Sequence, residues 1–211
     1  MDETVESHAA DLAHFEYKGK EIPIVLHGCS KLEKATIMFE GSNGLARVFT
    51  AVPIILRVKV LNVQAQISAY KQLHKLAPRP FLQLVHCLNV APQLQTLHLD
   101  MIYSYFKASS PHEVAEEEGP HMHHHDHLKT VHISGFRCYK AQAELACCIL
   151  ENAHVLDHME VQPRVAAAIC GYADLKNFAV ERRFLPGVRE WARLTSERFG
   201  KAITVLDASS E

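Results

Sequence analysis

The sequence predicts an α/β fold built as a solenoid, with parallel strands on its concave face and helices or loops on its convex face. Three observations support this prediction. A short apolar pattern recurs along the chain, helix-like stretches separate several of its copies, and the 211 residues have an ordinary globular composition, 48% hydrophobic and 22% charged. A chain of this length can bury a sizeable core within one domain.

The recurring pattern is an apolar residue, two other residues, and then two apolar residues separated by one. Because side-chain direction alternates along a strand, the last two mark a strand with one buried face, and the first packs the turn before it. The six copies are Leu12, Phe15, Tyr17; Leu32, Ala35, Ile37; Ile55, Val58, Val60; Leu94, Leu97, Leu99; Leu128, Val131, Ile133; and Leu156, Met159, Val161. Their starts lie 20, 23, 39, 34 and 28 residues apart. Three of these gaps fall in or near the leucine-rich-repeat range of about 20–29 residues, which predicts a leucine-rich-repeat solenoid with one strand in each repeat, or rung.

Helix-like stretches lie between some of these strands. They begin at residue 70 (YKQLHKLA), at residue 81 (FLQLVHCLNVA) and at residue 141 (AQAELACCILENA). In the last stretch Leu145, Ile149 and Ala153 are spaced four residues apart and therefore share one helix face. A strand followed by a returning helix is the unit from which such a solenoid is built.

The end of the chain is typical of a terminal cap. A helix is predicted over 188–199, ended by Gly200, and a last strand over 203–206. Trp191 lies near one helix face with Leu194, and we predict that it anchors the cap in the core.

The prediction divides the chain into four segments. Residues 1–10 form a flexible acidic N-terminus, 11–107 hold leucine-rich-repeat rungs, 108–127 form a polar histidine-rich loop, and 128–211 hold the C-terminal repeats and cap.

Composition and charge exclude several classes of function. The formal charge of -2 and the pI near 6.7 argue against a nucleic-acid-binding domain. The start of the chain lacks the basic and apolar regions of a secretory signal, and no apolar run reaches the length of a transmembrane helix. The six cysteines include no CxxC pair and are predicted to be reduced. We therefore expect a protein of the cytosol or nucleus, with no nucleic-acid or membrane partner.

No pattern typical of an enzyme is found in the sequence. No general base is paired with a nucleophile, no Gly-rich phosphate loop is present, and GSNG at residue 41 is typical of a turn. We expect a non-enzymatic protein that needs no cofactor.

The segment HMHHHDH, residues 121–127, places five histidines in seven positions. Neutral imidazole binds zinc or nickel, but structural sites usually add thiolates at regular spacing, and this segment has no CxxC partner. We predict a solvated lead-in to the next rung that binds metal weakly. The alternative is a metal site, whose candidate ligands are His121, His123, His124, His125 and His127.

The residues between the apolar positions of each strand are predicted to point outward and to form ladders from rung to rung. The central ladder is Glu16, Thr36, Lys59, His98, His132 and Glu160. Together with neighbouring positions it defines a predicted partner-binding face: Glu16, Lys34, Thr36, Arg57, Lys59, His98, Asp100, Thr130, His132, His158 and Glu160. The alternatives are a solvated face with no partner or, for His98, His132 and Glu160, a metal site or pH-sensitive patch.

Residues 127–165, HLKTVHISGFRCYKAQAELACCILENAHVLDHMEVQPRV, resemble the FBD segment of plant F-box/leucine-rich-repeat proteins. The shared features are an L-K-x-V-x-I-x-G-F strand, an E-L helix, L-E-N-A, and a strand ending near Q-P-R. The stretches FEYKGKEIPIVLHGCSKLEKATIMF, VFTAVPIILRVKVLNVQAQ and APQLQTLHLDM resemble successive rungs of the same family. The resemblance covers roughly residues 10–210 and implies a protein-binding module.

The chain departs from that family's pattern in two places. MDETVESHAADLAHF lacks the L-P-x-x-[IV] start of an F-box, so a Skp-type adaptor is not an expected partner. Between Ala77 and Leu94 a proline turn leads straight into a helix, so the strand that family members place there, and with it one rung, is predicted to be missing.

The predicted function is therefore a protein–protein interaction module that resembles the substrate-binding half of plant F-box receptors. Its partner is another protein of unknown identity. Two alternatives stay open: a histidine-rich, metal-responsive binding module, and a truncated F-box/leucine-rich-repeat product without retained activity.

Overall fold

The computed structural model describes residues 4–20, 22–40, 57–68, 88–89, 91–104, 123–164 and 174–207. Strands and two helices make up most of these residues. The elements are β1 (Val5–His8), β2 (His14–Lys20), β3 (Ile24–His27), β4 (Lys34–Glu40), β5 (Val60–Ser68), β6 (Thr96–Ser104), β7 (Thr130–Ser134), α1 (Lys140–Asn152), β8 (His158–Gln162), α2 (Asp174–Phe199) and β9 (Ile203–Val205).

A seven-stranded parallel sheet forms the main body of the fold. Its strand order is β2-β4-β5-β6-β7-β8-β9, which follows the order of these strands along the chain. Parallel neighbours in chain order are what one strand from each rung should give, and the predicted α/β class with parallel strands is confirmed. The solenoid curvature of this sheet stays a prediction.

The core lies on one face of this sheet and contains the apolar residues of the repeated pattern. The strand pairs Ala35 and Ile37, Leu97 and Leu99, Val131 and Ile133, and Met159 and Val161 are all buried, as are the leading residues Leu32, Leu94, Leu128 and Leu156. Each fully buried Leu, Ile, Val or Met side chain contributes about 1.5–3 kcal/mol, so burial of the repeated pattern stabilises the sheet.

The third rung lies three residues further along the chain than predicted. Leu61 pairs with Ala35 and Val63 with Ile37, and Val58 is the fully buried leading residue. The backbone N–H of Lys59 donates to the Glu33 carbonyl at 2.8 Å, which holds this register. The prediction was wrong because ILRVKV and VKVLNV both match the pattern, and only pairing with β4 distinguishes them.

β5 and β6 pair directly with one another, from Val60 opposite Thr96 to Ser68 opposite Ser104. No strand therefore lies between them in the sheet. The helix-like stretches that begin at residues 70 and 81 lie outside the described residues, apart from a helical turn at 88–89.

α1 confirms the helix predicted from residue 141. Gln142, fully buried, ties the start of this helix to the turn after β7: its Oε1 accepts from the Arg137 N–H at 2.8 Å, and its Nε2 donates to the Gly135 carbonyl at 3.0 Å. Gly135 has φ of +71°, a left-handed conformation that a residue without Cβ adopts at no steric cost. The G-F sequence after β7 is thus part of the connection into α1.

α2 is longer than predicted, since it begins at Asp174 and continues through Pro186. Proline removes one backbone donor without ending this helix. The Trp191 ring packs against Phe136 with centroids 4.6 Å apart, so its predicted role as an anchor is confirmed. Leu194, by contrast, is 51% exposed, and the buried face of the helix includes Val188 and Ala192.

β1 and β3 form a separate two-stranded parallel sheet. Residues 5–8 of the segment expected to be flexible are thus in a strand. No helix among the described residues has both the length and the apolar character needed to cross a membrane.

Candidate partner-binding face

The polar face of the seven-stranded sheet carries a continuous column of side chains in register. Strand pairing aligns one residue from each strand, because partners in adjacent parallel strands point to the same face. The column is Glu16, Thr36, Asn62, His98, His132, Glu160 and Thr204. We call this surface, with the neighbouring positions on the same side of the strands, the ladder face.

Three histidines and one carboxylate meet at the C-terminal half of the ladder face. The rings of His98 and His132 stack with centroids 4.4 Å apart and an angle of 6° between planes. Glu160 forms an ion pair with His132 Nδ1 through one carboxylate oxygen, and its other oxygen lies 2.9 Å from His158 Nε2. The carboxylate is therefore held in one orientation by two imidazoles.

The charges of this cluster follow from its surroundings. Burial lowers the pKa of His98, and the neighbouring His132 and Lys34 charges lower it further. For Glu160, burial acts to raise the pKa, but the hydrogen bond from His158 and the charge of His132 outweigh burial and leave the pKa lowered. The cluster therefore favours an ionised Glu160 and a neutral His98.

Asp100 and Ser134 extend the ladder face beside this cluster. The Ser134 hydroxyl donates to Asp100 Oδ1, and burial raises the pKa of Asp100 although this hydrogen bond opposes the effect. On the other side, Asn62 Nδ2 donates to Thr36 Oγ1 at 3.0 Å, while Asn62 Oδ1 is buried and, among the described residues, accepts no hydrogen bond.

These residues line a shallow groove of about 350 Å³. Its polar lining includes Lys34, Thr36, Asn62, His98, Asp100, His132, Ser134 and Glu160. The groove runs across the strands, so an occupant would contact several rungs at once.

Nine of the eleven residues predicted for the face lie on it. Those are Glu16, Lys34, Thr36, His98, Asp100, Thr130, His132, His158 and Glu160. Arg57 and Lys59 do not, because the third rung is shifted: both precede β5, and Lys59 instead pairs with Glu33 at 2.6 Å. Asn62 takes the position assigned to Lys59; the spacing of Val58, Leu61 and Val63 is compatible with this register, and pairing with β4 selects it.

One histidine of the histidine-rich segment departs from the predicted solvated lead-in, because His125 is buried, with only 4% of its surface exposed. The Leu128 N–H donates to its Nδ1 at 3.1 Å, and since Nδ1 accepts, Nε2 carries the proton and donates to the Ala91 carbonyl at 3.0 Å. The His125 N–H also donates to the Asn152 carbonyl at 2.9 Å. His125 thus links the start of β7, the end of α1 and the segment before β6. Because both ring nitrogens are used in these hydrogen bonds, His125 is excluded as a metal ligand.

The other described histidines of this segment are exposed. His123, His124 and His127 have exposed side chains, and His121 lies outside the described residues. His124 Nδ1 lies 2.8 Å from His154 Nε2. Within the part of the chain that the structure describes, no three ligand atoms of this segment, nor those of His98, His132 and Glu160, are close enough together to hold a metal ion.

Comparison with known proteins places the chain in a family. A family model described as "At1g61320/AtMIF1, LRR domain" matches residues 1–177. No curated protein and no solved structure matches the chain. Domains of leucine-rich repeats commonly mediate contacts between proteins through extended sheet surfaces. With a match over more than half of its length, the chain belongs to the At1g61320/AtMIF1 family of plant leucine-rich-repeat domains.

Proposed function

We propose that this chain is a non-enzymatic protein-binding module and that the ladder face is the surface that binds its partner. The observation that carries the proposal is the column of polar side chains in register across all seven strands of the main sheet, from Glu16 to Thr204. Neighbouring rungs present these groups about 4.8 Å apart, which suits a partner segment laid across the strands. Repeat domains use such extended surfaces for protein binding.

The chemistry of the face indicates what the partner offers. Glu160 is oriented by His132 and His158, and Asp100 by Ser134, so little side-chain entropy is lost when a partner binds these carboxylates. Lys34, at the other end of the groove, is exposed and positively charged. The face is suited to a polar segment that is cationic or rich in N–H donors at one end and acidic at the other.

We further propose that the module corresponds to the substrate-binding half of plant F-box receptors and acts in the cytosol or nucleus. The resemblance of residues 127–165 to the FBD segment supports the first part, and the family match supports the leucine-rich-repeat character that such receptors share. In this proposal the sheet curves as a solenoid, and the ladder face is its concave side.

The test compares the wild-type chain with a variant of the ladder face. The variant carries His98→Gln, Asp100→Asn, His132→Gln and Glu160→Gln, which replace the ionisable groups by neutral polar side chains. Proteins captured from a plant cell extract are identified by mass spectrometry, and the affinity of each purified partner is measured by calorimetry. The matched control replaces an exposed ion network on α2, Glu190→Gln, Arg193→Gln and Glu197→Gln, whose pairs lie 2.7–2.8 Å apart.

The ladder-face variant should lose at least about tenfold in affinity, which corresponds to the loss of about 1.4 kcal/mol, one net hydrogen bond. The α2 control should bind as the wild type does. Equal affinity of wild type and ladder-face variant, with unchanged melting temperatures, would show that binding uses another surface.

A further inference from the structure

The two-stranded sheet near the N-terminus places three metal-ligating side chains on one exposed face. β1 and β3 are parallel, and their register sets His8 directly opposite His27. Glu6 precedes His8 by two residues and therefore points to the same side of the strand. The strand register therefore places these three side chains on the same side of the small sheet.

The opposite side of this small sheet faces the core. Ile24 and Leu26 of β3 are buried, and Val5 of β1 packs against them. Glu6, His8 and His27 are exposed, so the alternation of the strands separates an apolar inner face from an outer face that carries ligating atoms.

The ligand atoms are close to the arrangement that a metal ion requires. One atom of each group, an imidazole nitrogen of His8 and His27 and a carboxylate oxygen of Glu6, lies within 4.8 Å of the other two. The two imidazole rings stack with centroids 4.4 Å apart and an angle of 11° between planes. Bonds of about 2.0–2.2 Å from a tetrahedral zinc ion place its ligand atoms roughly 3.4 Å apart, an approach that side-chain rotation at an exposed site allows.

We propose that Glu6, His8 and His27 form a binding site for a divalent transition-metal ion, of which Zn²⁺ is the representative. Two imidazoles and one carboxylate suit borderline metals, whereas Mg²⁺ and Ca²⁺ prefer sites made of oxygen atoms. Three protein ligands leave a fourth position open, as zinc sites with an exchangeable ligand do. The site is separate from the ladder face and from residues 121–127.

The consequence of binding is a link between two rungs. His8 lies in the strand before β2, and His27 in the strand before β4, so one ion joins the first repeat to the second across the small sheet. A two-stranded sheet on its own is only marginally stable in water. An ion that binds only the paired strands therefore stabilises the N-terminal end of the repeat array.

The test is amide hydrogen exchange of the full chain with and without Zn²⁺, because exchange locates the effect along the sequence. The variants are His8→Gln and His27→Gln, both at exposed positions, and Glu6→Gln. The matched control is His127→Gln, an exposed histidine of the histidine-rich segment. Zinc affinity of each protein is measured in parallel by calorimetry.

With Zn²⁺ at 100 times its dissociation constant, exchange in 5–8 and 24–27 should slow by about 100-fold in the wild type and in His127→Gln. His8→Gln and His27→Gln should each abolish this slowing, and Glu6→Gln should weaken it. Loss of one ligand should weaken zinc binding by at least about tenfold, because even the loss of a group that hydrogen-bonds to a ligand weakens metal binding that much. The proposal is overturned if zinc slows exchange only in 121–127, or if both histidine variants retain the slowing in β1 and β3.

Discussion

Replacement of His125 by alanine tests whether one histidine of the histidine-rich segment holds the repeats together. The substitution leaves the buried Leu128 N–H without its acceptor, and it removes one of the two hydrogen bonds that the Ala91 carbonyl accepts, the other being donated by the Leu94 N–H at 3.1 Å. An unsatisfied buried N–H costs about 1–3 kcal/mol and the loss of one hydrogen bond about 0.5–1.5 kcal/mol, and water entering the vacated space recovers part of this cost. We expect His125→Ala to lower the free energy of unfolding by about 3 kcal/mol.

The measurement is thermal unfolding of the full chain, followed by circular dichroism and calorimetry. For a chain of this size each kcal/mol shifts the melting temperature by about 2–4 °C, so the expected decrease is roughly 6–12 °C. The control is His127→Ala, two residues away but exposed, which should change stability by less than about 0.5 kcal/mol. A melting temperature for His125→Ala within about 2 °C of the wild type would refute the reasoning.

The same histidine predicts a pH dependence of stability. Burial lowers the pKa of His125 below its ordinary value of 6.5, and the hydrogen bond to Ala91 only partly opposes this. The unfolded chain therefore takes up this proton more readily than the folded chain. The contribution of His125 to the free energy of unfolding is fully present above pH 6.5. It is lost as the pH falls from 6.5 toward the lowered pKa of the folded state. In His125→Ala this part of the pH dependence should be absent, which unfolding by urea at several pH values between 5 and 8 would measure.

Two further substitutions test the packing of the cap and the register of the third rung. Phe136→Ala removes a fully buried ring that packs against Trp191. It should lower the free energy of unfolding, measured with urea, by about 3–5 kcal/mol. A loss below about 1 kcal/mol would contradict this packing. Lys59→Gln breaks an exposed pair with Glu33 outside the ladder face, so stability should change by less than about 1 kcal/mol and partner affinity should be unchanged. A clear loss of affinity in Lys59→Gln would place this residue in the binding surface after all.

The third rung shows where a sequence pattern becomes ambiguous. Val58 and Val60 are separated by one residue, and so are Leu61 and Val63. Each pair also follows an apolar residue at the required distance. Only the second set allows β5 to pair with β4 while its apolar residues enter the core. A shift of three residues reverses the side of every side chain, which is why Asn62 and not Lys59 lies on the ladder face.

The histidines show a second kind of ambiguity. A cluster of five histidines in residues 121–127 suggests a metal site by composition. In the structure, however, His125 is buried, and both of its ring nitrogens form hydrogen bonds within the fold. His8 and His27, nineteen positions apart in the printed sequence, carry no such signal, and strand pairing stacks their rings. Distance along the chain is a poor guide to ligand sets that are assembled across strands.

By itself the sequence determined the strand-by-strand repeat, the parallel α/β class, α1, and the Trp191 anchor of the cap, because these depend on local periodicity and on the burial of large apolar side chains. It also placed most of the polar face, since alternation along a strand is a local property. The tertiary structure alone decided the register of the third rung, the burial of His125, and the meeting of Glu6, His8 and His27. These features depend on hydrogen bonds between segments far apart in the chain, and a single sequence carries no record of which carbonyl or strand a given residue meets.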